Sequence, residues 1–178
     1  MRISGLIIVV SMLSACATST EKKEEPQWLS VTATEQLQLM EEGALTSEAL
    51  VAGYLDRIAS IDKSGPGINS VLSVNPNALE EARALDAKRA RGEILGPLHG
   101  LAVLLKDNIE SKELPTTAGS VALLKNETFR DSPLAENLRN AGAVILGKTN
   151  LSEWANFRSE QSTSCLLYTS DAADDFVR

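Results

Sequence analysis

Few residues in this 178-residue chain are of types that do chemistry, and their scarcity narrows the options before any element is drawn. There is one histidine, His99, and there are two cysteines, Cys16 and Cys165. A four-ligand zinc site of nitrogen and sulfur donors needs more than these, and a disulfide-stapled scaffold needs more cysteines. No metal and no cofactor is expected. Any histidine-dependent triad would have to converge on His99. Lysine chemistry stays open. Lys106 follows Leu101-Ala102-Val103-Leu104-Leu105 and precedes Asp107-Asn108. An amine at the end of a buried strand either turns into solvent or is drawn into a desolvated site. Desolvation disfavours the charged form and lowers the pKa from about 10.4, and a lysine near neutrality can act as a base. The residue pattern leaves both readings standing.

A second lysine falls in a formal motif that fails on physical grounds. Gly142-Ala143-Val144-Ile145-Leu146-Gly147-Lys148-Thr149 satisfies the phosphate-loop expression G-x-x-x-x-G-K-[ST]. Such a loop curls tightly with its N–H groups aimed at the anion and follows a strand. Ala-Val-Ile-Leu are strand formers that want burial, so nucleotide binding is rejected.

The elements that must position these groups follow from periodicity and caps. Thr32 and Glu35 have capping-box spacing before a short helix stopped by Gly43. Thr46 caps a second helix, with Leu50, Val51, Tyr54, Leu55 and Ile58 on a 3.6-residue period, broken at Ser64-Gly65-Pro66-Gly67. A strand is predicted over residues 71–74. Asn75-Pro76 is expected to open a third helix, with proline at its first position, ending at Gly92. Residues 101–105 and 143–146 are apolar runs without alternation, as in strands buried on both faces. A helix is predicted between Asp131-Ser132-Pro133 and Gly142, and one or two helical turns over residues 151–158. Helices interleaved with short buried strands predict an α/β layer architecture.

Composition is globular, with 43% hydrophobic and 23% charged residues. The formal charge of −7 repels phosphate backbones, so no nucleic-acid partner is expected.

Three collinear segments resemble the amidase signature family. The first is Gly96-Pro97-Leu98-His99-Gly100-Leu101-Ala102-Val103-Leu104-Leu105-Lys106-Asp107-Asn108-Ile109, and the second is Thr116-Thr117-Ala118-Gly119-Ser120. The third runs from Ala141 through Gly147-Lys148-Thr149-Asn150-Leu151-Ser152-Glu153-Trp154-Ala155. Ala102 departs from the proline common in that family, which affects rigidity more than chemistry. The resemblance implies a mixed sheet covered by helices, incomplete in this chain, over residues 28–164. It also implies hydrolysis of a linear carboxamide, in a small molecule or a peptide, by a Ser–cis-Ser–Lys triad with Lys106 on the lysine position. A neutral amine there deprotonates a bridging serine, which relays the proton from the nucleophilic serine, while backbone N–H groups stabilise the oxyanion.

The resemblance stops at Ser164. The Gly/Ser-rich stretch that carries both family serines is absent, and Ser162 and Ser164 lack its glycine context and take no role. Residues 165–178 read as sequence foreign to the domain. The chain is therefore expected to be inactive and poorly soluble, with residues 101–105 and 143–146 exposing unpaired edges, an aggregation hazard. The alternative is a non-catalytic envelope lipoprotein with a degenerate amidase fold.

The chain also carries an address. Arg2, a short apolar run and Leu13-Ser14-Ala15-Cys16 make a secretory signal too short to span a bilayer. The last four residues resemble the lipobox of bacterial lipoproteins, which implies that residues 1–15 are removed and Cys16 is acylated. Ala17 then favours the outer membrane in a Gram-negative cell. Residues 16–27 read as a polar tether. The expected place is the periplasmic side of the bacterial cell envelope, with the lipid anchor as the only membrane contact.

Overall fold

The computed structural model describes residues 26–155. The leader, Cys16 and Cys165, most of the tether, and the tail lie outside the described residues.

The helices begin where side chains satisfy the first free N–H groups. Helix α1, Ala33–Glu41, opens on a full capping box: Glu35 N–H donates to Thr32 Oγ1 at 3.3 Å, and Thr32 N–H donates to the Glu35 carboxylate at 2.8 Å. Helix α2, Ser47–Arg57, is capped by Thr46, whose hydroxyl accepts from Ala49 N–H at 3.0 Å. A second acceptor comes from helix α3, Ala78–Ala90. The Asp86 carboxylate accepts from Ser47 N–H at 2.8 Å and Glu48 N–H at 2.9 Å. Asp86 thus places negative charge on the positive end of α2 and docks α3 beside it.

The start of α3 corrects the expectation that Pro76 would be its first residue. The helix begins at Ala78, because Asn75 is committed to the sheet. Asn75 N–H donates to Leu146 O at 2.9 Å, and its side-chain amide donates to Ile145 O at 2.8 Å while accepting from Asn77 N–H at 2.9 Å. Pro76 sits in the resulting turn.

Three strands form a mixed sheet in the order β1-β3-β2: β1 is Val71–Val74, β2 is Ala102–Lys106 and β3 is Val144–Thr149. β1 runs antiparallel to β3 and β2 runs parallel to it. Helix α4, Pro133–Asn140, crosses between the two parallel strands. One sheet face packs Val144 and Leu146 against Val51, Ala78, Ala82 and Leu85 of α2 and α3. The other packs Leu105 and Ile145 against Ala135 of α4. The layer architecture read from the sequence is therefore present.

The two apolar runs differ in burial. β3 is central, paired on both sides and buried from Val144 to Lys148, so the expected unpaired edges at residues 143–146 are corrected. β2 has one neighbour among the described residues, and Ala102, Val103 and Leu104 are half-buried. Burial on both faces holds for β3 and fails for β2. Residues 151–158 yield one short turn, Glu153–Ala155, with Trp154 at φ +57°; residues 156–158 lie outside the described residues.

Candidate active site

His99 is removed from candidacy first. It is buried; Leu95 N–H donates to its Nδ1 at 3.1 Å, and Nε2 lies 3.0 Å from Leu85 O. With Nδ1 accepting, Nε2–H donates to that carbonyl, and neither nitrogen is left for a substrate. The phosphate-loop match fails as the residue types required, since residues 144–149 form strand β3.

The three sequence segments converge at the carboxyl ends of β2 and β3. Lys106 is the last residue of β2 and pairs in register with Thr149. Leaving β2, Asp107 N–H donates to Thr149 O at 3.1 Å, and Ile109 N–H donates back to Lys106 O at 2.9 Å. The chain returns through Thr116-Thr117-Ala118-Gly119-Ser120, where Ala118 N–H donates to Asp107 O at 3.0 Å. Trp154 N–H then donates to Ala118 O at 2.7 Å. Gly119 is required at this crossing: it has φ +73°, and a β-carbon there would lie 2.8 Å from Leu151 O.

Two lysines end up at this place with opposite surroundings. Strand alternation puts Lys106 on the face of Leu104. It is exposed, and among the described residues its amine has no hydrogen-bond or ion-pair partner. Of the two surroundings left open for Lys106, the described residues place no cover over the amine.

Lys148 is fully buried. Its ammonium donates to Ile109 O at 2.5 Å and to Thr116 Oγ1 at 3.1 Å, and lies 3.6 Å from Asp107 Oδ1. Asp107, also fully buried, accepts from Thr117 N–H at 3.2 Å and from the Thr117 hydroxyl. Burial holds the Lys148 amine below the ordinary lysine range, and the Asp107 carboxylate offsets part of that effect. Reasoning from the sequence misses this pair. A signal exists, because Asp107 is an acid directly after a buried run and Lys148 a base ending another.

Register explains why Lys148 turns inward. Val103 pairs with Ile145 but Leu104 pairs with Gly147, so β3 carries one extra residue. A bulge of this kind re-aims the side chains that follow it. Here it aligns Lys148 with Leu105, on the α4 side of the sheet. Gly147 permits it: a β-carbon there would lie 2.2 Å from Ser73 O of β1.

The outer end of the loop after β2 is held by Arg139 of α4. Its guanidinium pairs with Asp131 at 3.0 Å, with Glu81 of α3 at 3.3 Å, and with Glu113. Burial raises the Glu81 carboxyl above its usual range despite the attraction of Arg139. A cavity of about 300 Å³ lies between α2 and the sheet, lined by Tyr54, Ile58, Ile61, Leu104 and Leu146. Its acid, Asp62, is already engaged by Ser70 and Val71. No cluster of metal-binding side chains occurs among the described residues, and no described helix is long and apolar enough to cross a membrane.

Known proteins share much of this sequence and fold. The sequence profile of the amidase family matches residues 49–175. A Schizosaccharomyces pombe protein that carries the amidase name is 47% identical over 127 residues, 70% of this chain and 21% of that protein. An Arabidopsis thaliana protein that carries the same name is 48% identical over 121 residues, covering 66% of this chain and 23% of the relative. Among solved structures, the native peptide amidase of Stenotrophomonas maltophilia superposes with a TM-score of 0.70 at 47% identity, over 76% of this chain and 28% of that one. An amidase family protein of Bacillus anthracis gives 0.72 at 39% identity, over 79% and 28%. The chain thus spans about a quarter of the length of these relatives.

Proposed function

The chain belongs to the amidase family, and from that premise we propose that it is the amino-terminal part of a longer enzyme that hydrolyses a linear carboxamide. The observation that carries the reading is the contrast at the strand ends. Of the two lysines brought there, Lys148 has its protons engaged, whereas the Lys106 amine has no partner among the described residues and projects from the sheet.

In the proposed reaction the neutral Lys106 amine takes a proton from a bridging serine, which takes one from the nucleophilic serine. The serine oxygen attacks the amide carbonyl, and the C–N bond breaks as the nitrogen leaves with a proton passed back along the same relay. An acyl-enzyme remains, and water activated by the relay releases the carboxylate. Both serines belong to the part of the enzyme that follows Ser164. Lys106 becomes desolvated when that part covers it, and this is the condition for a neutral amine near pH 7.

The 178-residue chain is accordingly inactive, because a base without its nucleophile and oxyanion donors has nothing to activate. Ammonia release from simple amides tests this: no turnover is expected, and turnover lost in Lys106→Ala would overturn it. Sequencing the locus is the complementary test, with the reading frame expected to continue past Ser164 into a Gly/Ser-rich segment and a genuine stop after Arg178 as the contrary result.

The proposed address is the bacterial envelope, through acylation of Cys16. Two acyl chains contribute about 0.8 kcal/mol per buried methylene. Incorporation of labelled fatty acid that vanishes in Cys16→Ser supports this; equal labelling of both chains refutes it.

A further inference from the structure

The buried lysine at the end of β3 is left unused by the proposed reaction, yet its partners all belong to the segment that carries Lys106. The ammonium reaches Ile109 O, three residues after Lys106, and Thr116 Oγ1, where the excursion returns to the sheet. It also faces Asp107, the residue covalently next to Lys106. Asp107 in turn holds the return strand through Thr117 N–H and, by its own carbonyl, through Ala118 N–H. One buried charge therefore ties both ends of the excursion between residues 107 and 118. Asp107 Oδ1 has no hydrogen-bond partner, so the nearby ammonium is what compensates that oxygen.

We propose that Lys148 is a positioning residue for Lys106: its buried ammonium fixes the turn by which the chain leaves β2, and with it the direction in which the Lys106 amine projects. The inference rests on the reading of Lys106 as the base. Geometry makes the coupling specific. Asp107 points into the sheet and Lys106 away from it, on consecutive residues at a strand end, so an inward anchor on one sets the outward course of the other. Remove the ammonium and the Asp107 carboxylate is left buried without a counter-charge. The structure relieves that state by taking up a proton or by opening the turn. Removing both charges together leaves no buried ion without a counter-charge, and the Thr117 contacts persist on the amide oxygen of an asparagine.

Competitive acylation of the lysines in the 178-residue chain, read residue by residue by mass spectrometry, tests this without depending on turnover. Lys148 is expected to label at least about tenfold more slowly than exposed Lys125. In Lys148→Met, labelling of Lys106 relative to Lys125 is expected to change by threefold or more, or about 0.65 kcal/mol. Adding Asp107→Asn is expected to return it toward the parent value. Lys148 labelling as fast as Lys125 would overturn the proposal, as would an unchanged Lys106 ratio in a chain that Lys148→Met merely destabilises. Failure of the double variant to restore the ratio would overturn it too. None of these outcomes depends on whether Lys106 is a catalytic base, which hydrolysis by the longer enzyme decides separately.

Discussion

The carboxyl ends of β2 and β3 lie side by side, one residue apart in register, and each carries a lysine. At the end of β2 the amine is exposed and unpartnered among the described residues; at the end of β3 it is sealed, within reach of two acceptor oxygens and a carboxylate. Residue type does not explain the difference, since both lysines follow apolar runs. It comes from one extra residue in β3 and one acid after β2. A bulge turns Lys148 toward Asp107, and the same inward Asp107 obliges Lys106 to face the other way. Two lysines of equal intrinsic chemistry are thus sorted, one sealed among acceptor oxygens and one left exposed.

The strongest way to break this contrast is to remove the anchor. Lys148→Met orphans a buried carboxylate and is expected to cost about 3–5 kcal/mol, visible as a large fall in the urea midpoint. A loss below ~1 kcal/mol would mean that the pair is hydrated and the site open. Gly147→Ala comes next: the new methyl meets Ser73 O, and the expected cost of overpacking is about 1–3 kcal/mol. An unaffected midpoint there would show that the bulge is not fixed.

A pH experiment sharpens the comparison on the other side of β3. Asp62 accepts from Ser70 N–H, the Ser70 hydroxyl and Val71 N–H at the start of β1. Burial alone would raise this carboxyl, but those hydrogen bonds and nearby Lys63 outweigh it and hold it below the usual range. A depressed folded pKa gives stability that is complete above the unfolded value of about 3.9 and is lost as pH falls through the folded value. Melting scans from pH 7 downward should therefore show an acid loss that is smaller in Asp62→Asn; identical acid limbs would remove Asp62 from the account. The smallest effect belongs to Lys106→Met, expected within about 0.5 kcal/mol of the parent because the side chain is exposed and unpaired. A penalty as large as that of Lys148→Met would erase the distinction between the two strand ends.

Local chemistry makes much of this legible from the sequence. Thr32 with Glu35, Thr46 and Ser132 each announce a helix start through their own side chains, and strand β1 reads directly from its residues. The segments carrying Lys106, the Thr116–Ser120 loop and Trp154 stand out through their resemblance to the amidase signature family. What escapes depends on partners distant in the chain. Pro76 looks like a helix opener until Asn75 is seen bonded to Ile145, 70 positions away. Residues 101–105 look doubly buried, but an edge position leaves Ala102, Val103 and Leu104 half-buried. Lys148 hides inside a false phosphate-loop pattern, because its inward turn is produced by a register shift against β2 that no local periodicity records.

The proposed transfer of a proton to the Lys106 amine in amide hydrolysis is decided by kcat/KM for a simple primary amide in the longer enzyme. Loss of a general base predicts a fall of about 10²- to 10⁴-fold in Lys106→Met, with folding preserved as judged by the urea midpoint. A folded Lys106→Met enzyme that hydrolyses the amide at the parent rate would contradict the account.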